Sequence, residues 1–202
     1  INVGTPDSTS VGDVRKYLRE FLGDGRVIDL PWAARKLLVN GIIAPFRAPK
    51  SAKAYRKLWT PAGSPLIVHG EALARALQAR LGDDHLVLLA MRYQSPSLSG
   101  AIDRLMKERV KEIVIVPMFP QYSSAATGTA LQEAFRIIGG YAVVPAVRTV
   151  PAFHDDPGFL DHLSKAAVVI GYEATQGRRF ATDRHQRQGL HAILHVRQFD
   201  DF

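Results

Sequence analysis

Apolar residues recur along this chain in two rhythms, and the alternation between them predicts its elements. Val11, Val14, Leu18, Phe21 and Leu22 fall three and four apart, the spacing of a helix with one buried face. Trp32 to Phe46 is a second helical stretch, strongly apolar but carrying Arg35 and Lys36. Ala48-Pro49-Lys50 is expected to break it, with Ala52 to Trp59 as one short helix more. Ser64 as cap and Pro65 at the first helical position open a further helix, running to about Leu81. Leu98, Ala101, Ile102, Leu105, Met106 and Val110 form another helical stripe, and Thr129 to Ile138 another helix.

The second rhythm is the continuous apolar run. His85 to Met91 (HLVLLAM) and Glu112 to Met118 (EIVIVPM) read as strands buried on both faces. Ile1 to Val3 reads as a strand end, followed by the turn Gly4-Thr5-Pro6-Asp7, and Tyr141 to Val150 as one more strand. Asp156-Pro157 caps a helix beginning at Gly158. From about Tyr172 the pattern weakens, and 174–190 is rich in Arg, Gln, Gly and His. Strands separated by helices predict an α/β fold, built from βαβ units around a mainly parallel sheet with helices on both faces.

In such a sheet ligands bind beyond the carboxyl ends of the strands. Four such ends carry polar and aromatic groups: Gly4 to Asp7, Arg92-Tyr93, Gln121 to Ser124 with Thr127-Gly128, and Phe153 to Asp156. Polar loop ends are also what any fold presents to water, so a single one says little. The glycine-rich nucleotide motifs and the Gly-x-Ser-x-Gly elbow are absent.

Composition narrows the chemistry. The chain has no cysteine, which excludes a disulfide scaffold, a thiol nucleophile and a thiolate-held metal. No apolar run is long enough to span a bilayer. The formal charge is +7, with much of the excess between Arg178 and Arg197. An acidic small molecule, an anionic membrane face and nucleic acid are the partners such a charge suits. No nucleic-acid motif is present, and no nucleic-acid partner is expected. His191 and His195 stand four apart, a ligand spacing without an evident third ligand. His154, at a strand end, is a candidate for proton or metal handling, or simply a turn residue beside Asp155 and Asp156.

Several blocks carry a more specific likeness. These are Asn2 to Asp7, Val14 to Leu22, Pro45 to Trp59, Gly63-Ser64-Pro65-Leu66, Ala90 to Tyr93 and, above all, Pro117-Met118-Phe119-Pro120-Gln121-Tyr122-Ser123-Ser124-Ala125-Ala126-Thr127-Gly128. In this order and spacing, over about residues 1–165, they resemble the ferrochelatases. The resemblance implies the first lobe of a two-lobed, chelatase-like fold, with a porphyrin cleft between the lobes. Residues 1–170 would form that lobe, and 171–202 an irregular basic insertion or the start of the second. It implies insertion of Fe2+ into protoporphyrin IX or coproporphyrin III, with iron as substrate and no permanently bound cofactor or metal. A tetrapyrrole-binding half-lobe without catalysis and a related cobalt or nickel chelatase are the alternatives. The implied location is cytoplasmic, with peripheral contact at the inner membrane.

The same resemblance implies that Arg47, Tyr55 and Ser64 hold the porphyrin propionates. Arg forks onto carboxylates and hydroxyls add neutral donors, so the chemistry agrees. Read without the resemblance, Arg47 is a solvated cation, Tyr55 a packed ring and Ser64 a plain helix cap. Arg92, Tyr93, Tyr122, Ser123 and Ser124 match positions around the metal-insertion side, with Arg92 partly structural. Trp32 to Phe46 resembles the family's lip helix, lining the porphyrin entrance or touching a membrane surface. Metal entry displaces two pyrrole protons, and a His with pKa near the working pH suits their removal. The family's Ser-x-His-Gly/Ser-Leu-Pro motif and its late Glu are not in this sequence. Phe199-Asp200-Asp201-Phe202 resembles the segment just before that motif, and Ile1 lacks an initiator Met, so the chain is expected to be a fragment at both ends.

Overall fold

The computed structural model describes residues 1–165, and the chain divides into two compact units, Ile1–Phe153 and His154–Phe202. The expected insertion at 171–202, with His185, His191 and His195, lies outside the described residues.

In the first unit four short strands carry the architecture: β1 (Asn2–Gly4), β2 (Met91–Tyr93), β3 (Glu112–Ile115) and β4 (Ala146–Thr149). β1 pairs with β2 in parallel, Asn2 opposite Met91 and Gly4 opposite Tyr93. β3 pairs with β4 in parallel, from Glu112 opposite Ala146 to Ile115 opposite Thr149. Ile1 joins the two ladders: its nitrogen donates to the Val116 carbonyl at 2.7 Å, and its carbonyl accepts from Met118 N–H at 2.8 Å. The strands therefore run in the spatial order β2-β1-β3-β4. Successive connections from β1 leave in opposite directions, which makes the β1/β3 boundary a topological switch point, where open sheets bind ligands.

The strands are shorter and less enclosed than the apolar runs predict. Ile113 and Ile115 are buried, whereas Glu112 and Val114 face outward, Val114 being 48% exposed. β3 is thus buried on one face, with the period of two that a half-covered strand shows. In the run 85–91 only Met91 enters a ladder. Residues 86–89 are half-buried.

The helices follow their stripes, with one exception. α1 (Val11–Gly23) begins at Ser10, whose Oγ accepts from Asp13 N–H at 3.0 Å, and it buries Val14, Tyr17, Leu18 and Leu22. α2 (Trp32–Leu37), a π-helical turn (Leu38–Ile43) and α3 (Ala44–Leu58) then run on as one rod. The expected break at Ala48-Pro49-Lys50 does not occur, and Pro49 sits inside α3. Proline within a helix costs about 3 kcal/mol by the lost hydrogen bond and ring clash. Burial offsets it. Val39 and Ala44, five apart, lie in the core because the π turn rotates the chain by one residue, and Ala44, Ala48 and Ala52 follow at helical spacing with no exposed surface. These small side chains bring α3 close against α1.

α4 (Pro65–Leu81) starts and ends as predicted but has no fully buried residue. Gly70 admits Leu89, whose Cδ1 would lie 2.9 Å from an added Cβ. α5 (Leu98–Lys107) and α6 (Thr129–Ile138) cover the inner face of β3, packing Leu98, Ile102, Ala134 and Ile138 around Ile113 and Ile115. In the second unit 157–165 is helical, and Asp156 Oδ1 accepts from Phe159 N–H at 2.9 Å, the cap its Asp-Pro start predicts.

Candidate functional site

The carboxyl end of β1 is set by Gly4. Its φ of +118° belongs to glycine, and a Cβ there would stand 2.1 Å from the Tyr93 carbonyl oxygen. The close approach places Thr5 beside the start of α4, where Ser64 Oγ donates to Thr5 Oγ1 at 3.1 Å in a buried contact. Ser64 therefore caps α4 with its backbone position, while its hydroxyl faces the end of β1.

Tyr55 leads outward from this end. It meets Tyr17 edge-on with centroids 6.4 Å apart, and Trp59 likewise at 6.3 Å. Burial pushes the Tyr55 hydroxyl above its ordinary pKa, and the hydrogen bond with Tyr17 and the charge of Arg47 act against that rise. Arg47 thus lies within electrostatic reach of Tyr55, on the exposed side of α3. Tyr17 in turn stacks on Phe21 at 5.8 Å, and Phe21 meets Tyr93 at 5.5 Å. One aromatic row links Trp59, Tyr55, Tyr17, Phe21 and Tyr93.

At the far end of that row stands Asp24, which the sequence reading passed over. Its Oδ2 accepts from Arg92 Nη2 at 2.8 Å, from the Tyr93 hydroxyl at 2.9 Å and from the Thr129 hydroxyl. Its Oδ1 accepts from Arg26 N–H at 2.8 Å. Burial pushes the Asp24 carboxyl up, but the bonds from Thr129, Arg26 N–H and Tyr93, with the Arg92 charge, outweigh it and leave the carboxyl below its ordinary pKa. Tyr93, 3% exposed, has its hydroxyl pushed up to about 12 by burial, against the pull of Thr129 and Arg92, so it remains a donor to Asp24. Arg92 Nε also donates to Thr129 Oγ1 at 2.8 Å, which spends much of its fork on the protein itself.

The third strand-end loop is Tyr122 to Gly128. Tyr122 is 64% exposed, Ser123 precedes a short π-helical turn (Ser124–Gly128), and Ser124 Oγ accepts from Arg26 Nη1 at 3.1 Å. Arg26 and Tyr122 crowd onto Gly128, where a Cβ would lie 3.0 Å from Arg26 Nη1 and 3.1 Å from the Tyr122 hydroxyl.

A cleft of about 550 Å³ opens over the Asp24 cluster, lined among others by Arg19, Trp32, Lys36, Arg92 and Tyr93. Arg47, Tyr55, Ser64, Tyr122, Ser123 and Ser124 are not among its walls. The structure thus groups the predicted residues into three places: Ser64 with Thr5, Arg47 with Tyr55, and Arg92 with Tyr93, with Tyr122 to Ser124 reached through Arg26. His154 opens the second unit, exposed in a turn. Among the described residues no three His, Asp or Glu side chains gather as a metal-ligand set.

The rod from α2 to α3 exposes Trp32 (66%), Leu37 (75%), Ile42 (57%) and Phe46 (79%). Lys36 covers the Trp32 ring at 4.9 Å. Arg35 turns inward instead, donating from Nε to the Gly23 carbonyl at 2.9 Å and from Nη1 to the Leu30 carbonyl at 2.5 Å. It closes the carbonyl end of α1.

Known proteins resemble the chain throughout these elements. A sequence model of the family described as ferrochelatase matches residues 1–180. A ferrochelatase of Legionella pneumophila (strain Corby) is 42% identical over 165 residues, covering 82% of this chain and 49% of that protein. One from Chromobacterium violaceum is 42% identical over 168 residues, 81% of this chain and 46% of its own length. One from Coxiella burnetii (strain RSA 493 / Nine Mile phase I) is 40% identical over 164 residues, 81% and 45%. The chain spans about half the length of the relatives it matches.

Proposed function

Because this chain belongs to the ferrochelatase family, we propose that it forms the porphyrin-holding lobe of an enzyme that inserts Fe2+ into protoporphyrin IX or coproporphyrin III. The observation that carries this reading is the exposed Arg47 within electrostatic reach of Tyr55 on the same helix. Among the described residues Arg47 makes no ion pair, and it stands on an exposed face next to Phe46, which is 79% exposed. A flat apolar disc edged by carboxylates asks for such a pair, an apolar surface with a cation and a hydroxyl at its rim.

The chemistry divides between holding and proton removal. Arg47 and Tyr55 would fix one edge of the macrocycle by its propionates, and Ser64 with Thr5 would back that edge at the end of β1. Fixing the rim lets binding energy bend the ring, so that a pyrrole lone pair turns toward the metal. Arg92 and Tyr93, held by Asp24, would keep a fixed charge and a neutral hydroxyl near the metal side, and Tyr122, Ser123 and Ser124 would touch the macrocycle. Two pyrrole protons must leave as the iron enters, each to a base that passes it on to solvent before the next is taken.

The exposed Trp32, Leu37, Ile42 and Phe46 lie on the same rod as Arg47, Lys50, Lys53 and Arg56. Apolar residues beside cations suit peripheral contact with an anionic bilayer on its cytoplasmic side. No helix among the described residues is long and apolar enough to cross a membrane. The test of the main reading is anaerobic incubation of the protein with porphyrin and Fe2+, followed by the metalloporphyrin absorption bands. Their enzyme-dependent growth supports it. Saturable porphyrin binding without metal insertion would leave a binding lobe, and faster loading of cobalt or nickel than iron would point to another chelatase.

A further inference from the structure

The turn that follows α1 touches two of the strand ends at once. Asp24 accepts from Arg92, Tyr93 and Thr129, at the end of β2 and the start of α6. Two residues on, Arg26 donates from Nε to Gln132 Oε1 and from Nη1 to Ser124 Oγ at 3.1 Å. The two are themselves joined, Arg26 N–H to Asp24 Oδ1 at 2.8 Å. Gly128 supplies the space: an added Cβ would press on both Arg26 and the Tyr122 hydroxyl. From the other side Arg35, on α2, holds the same turn through the Gly23, Ile28 and Leu30 carbonyls.

We infer that Arg26 is a positioning residue for the Tyr122 to Ser124 loop, and that the 24–26 turn sets this loop and the Arg92-Tyr93 strand end in fixed register for the substrate. The inference rests on the reading above, in which these residues face the porphyrin. Arg26 suits the role because a planar fork grips two acceptors at once, Gln132 and Ser124, which a lysine ammonium does not reproduce. Its amides at Ala126 and Gly128 bond back to the Ser123 carbonyl, at 3.3 and 3.0 Å, the Ser124 and Ala126 carbonyls accept from Thr129 N–H, and Tyr122 is largely in solvent.

Arg26 is exposed, so Arg26→Ala does not open the core. Two readouts test it. Hydrogen exchange of the full chain should show the amides of 124–128 exchanging about ten-fold faster in Arg26→Ala and in Arg26→Lys, with those of α1 unchanged. In the active protein the KM for porphyrin should rise at least five-fold in both variants while the melting temperature holds. Ser124→Ala should reproduce part of that rise, and Arg26→Ala/Ser124→Ala should add little beyond Arg26→Ala, as coupled partners do. Unchanged exchange in 124–128 overturns the inference, whatever the protein's activity. So does a KM within two-fold of the unsubstituted enzyme. Failure of the unsubstituted protein to insert iron would count against the proposed function, and the exchange readout would still decide the role of Arg26.

Discussion

Arg92 and Asp24 stand 68 residues apart in sequence and meet at 2.8 Å, Nη2 to Oδ2, with side chains only 19% and 11% exposed. The contact closes the end of β2 onto the turn after α1. It explains why an Arg within β2, directly after an apolar run, is tolerated: its charge is matched, and its Nε donates to Thr129 Oγ1. Removing one partner of such a pair leaves the other half-buried and uncompensated. Asp24→Ala is expected to cost about 3 kcal/mol, read as a lowered midpoint in urea. An unchanged midpoint would show the cluster to be ornamental.

The same carboxylate sets an acid dependence. Its folded pKa lies below the ordinary value, so the unfolded chain binds the proton more readily. The stabilisation is present above the unfolded carboxylate pKa of about 4, and it is lost as pH falls through the folded pKa. Asp24→Asn should lower stability at neutral pH and flatten the loss below about pH 4. Parallel acid-unfolding curves for the two proteins would contradict this.

Gly4 admits no substitute. Alanine there would take a left-handed φ of +118° and drive a Cβ to 2.1 Å from the Tyr93 carbonyl. Strain and overpacking together should cost about 3 kcal/mol or more. Soluble, native-like Gly4→Ala with an unshifted thermal midpoint would mean that β1 and β2 do not meet as described.

Gln94 runs the other way. It sits at φ +63°, 8% exposed, and its amide oxygen and nitrogen find no partner among the described residues. Gln94→Gly relieves the left-handed backbone and removes two unsatisfied polar atoms, against the loss of some packing. A net gain of about 1 kcal/mol is expected. A lower melting temperature would show that packing outweighs both.

How far the chain was legible follows from range. Helix starts are local, so Ser64 with Pro65 and Asp156 with Pro157 are readable from a few residues. The stripes that became α1, α5 and α6 were readable too, since a periodic face needs no partner to be seen. Pro49 misled because the alanine face at 44, 48 and 52 gains its stabilisation only against α1. The runs around β2 and β3 suggest double burial because composition marks apolarity, not which face is covered. Among candidate site residues, Arg47, Tyr55 and Ser64 come from block resemblance, and Arg92, Tyr93 and Tyr122 to Ser124 also from lying at the ends of apolar runs. Asp24, Arg26 and Thr129 do not, because they join only when β2, α6 and the turn after α1 come together. The one local hint was a charged Gly-Asp-Gly-Arg turn closing an amphipathic helix.

The central claim is that this lobe holds a porphyrin by its carboxylate edge through Arg47. The direct measurement is a fluorescence titration of protoporphyrin IX or coproporphyrin III with the unsubstituted chain, Arg47→Ala and Arg47→Lys. Saturable binding is expected, weakened about ten-fold or more in Arg47→Ala, since a charge-assisted bond contributes about 1.5–3 kcal/mol. Arg47→Lys should recover only part of it, because the fork is lost. Equal, saturable binding by all three proteins would contradict the account and place the propionates elsewhere.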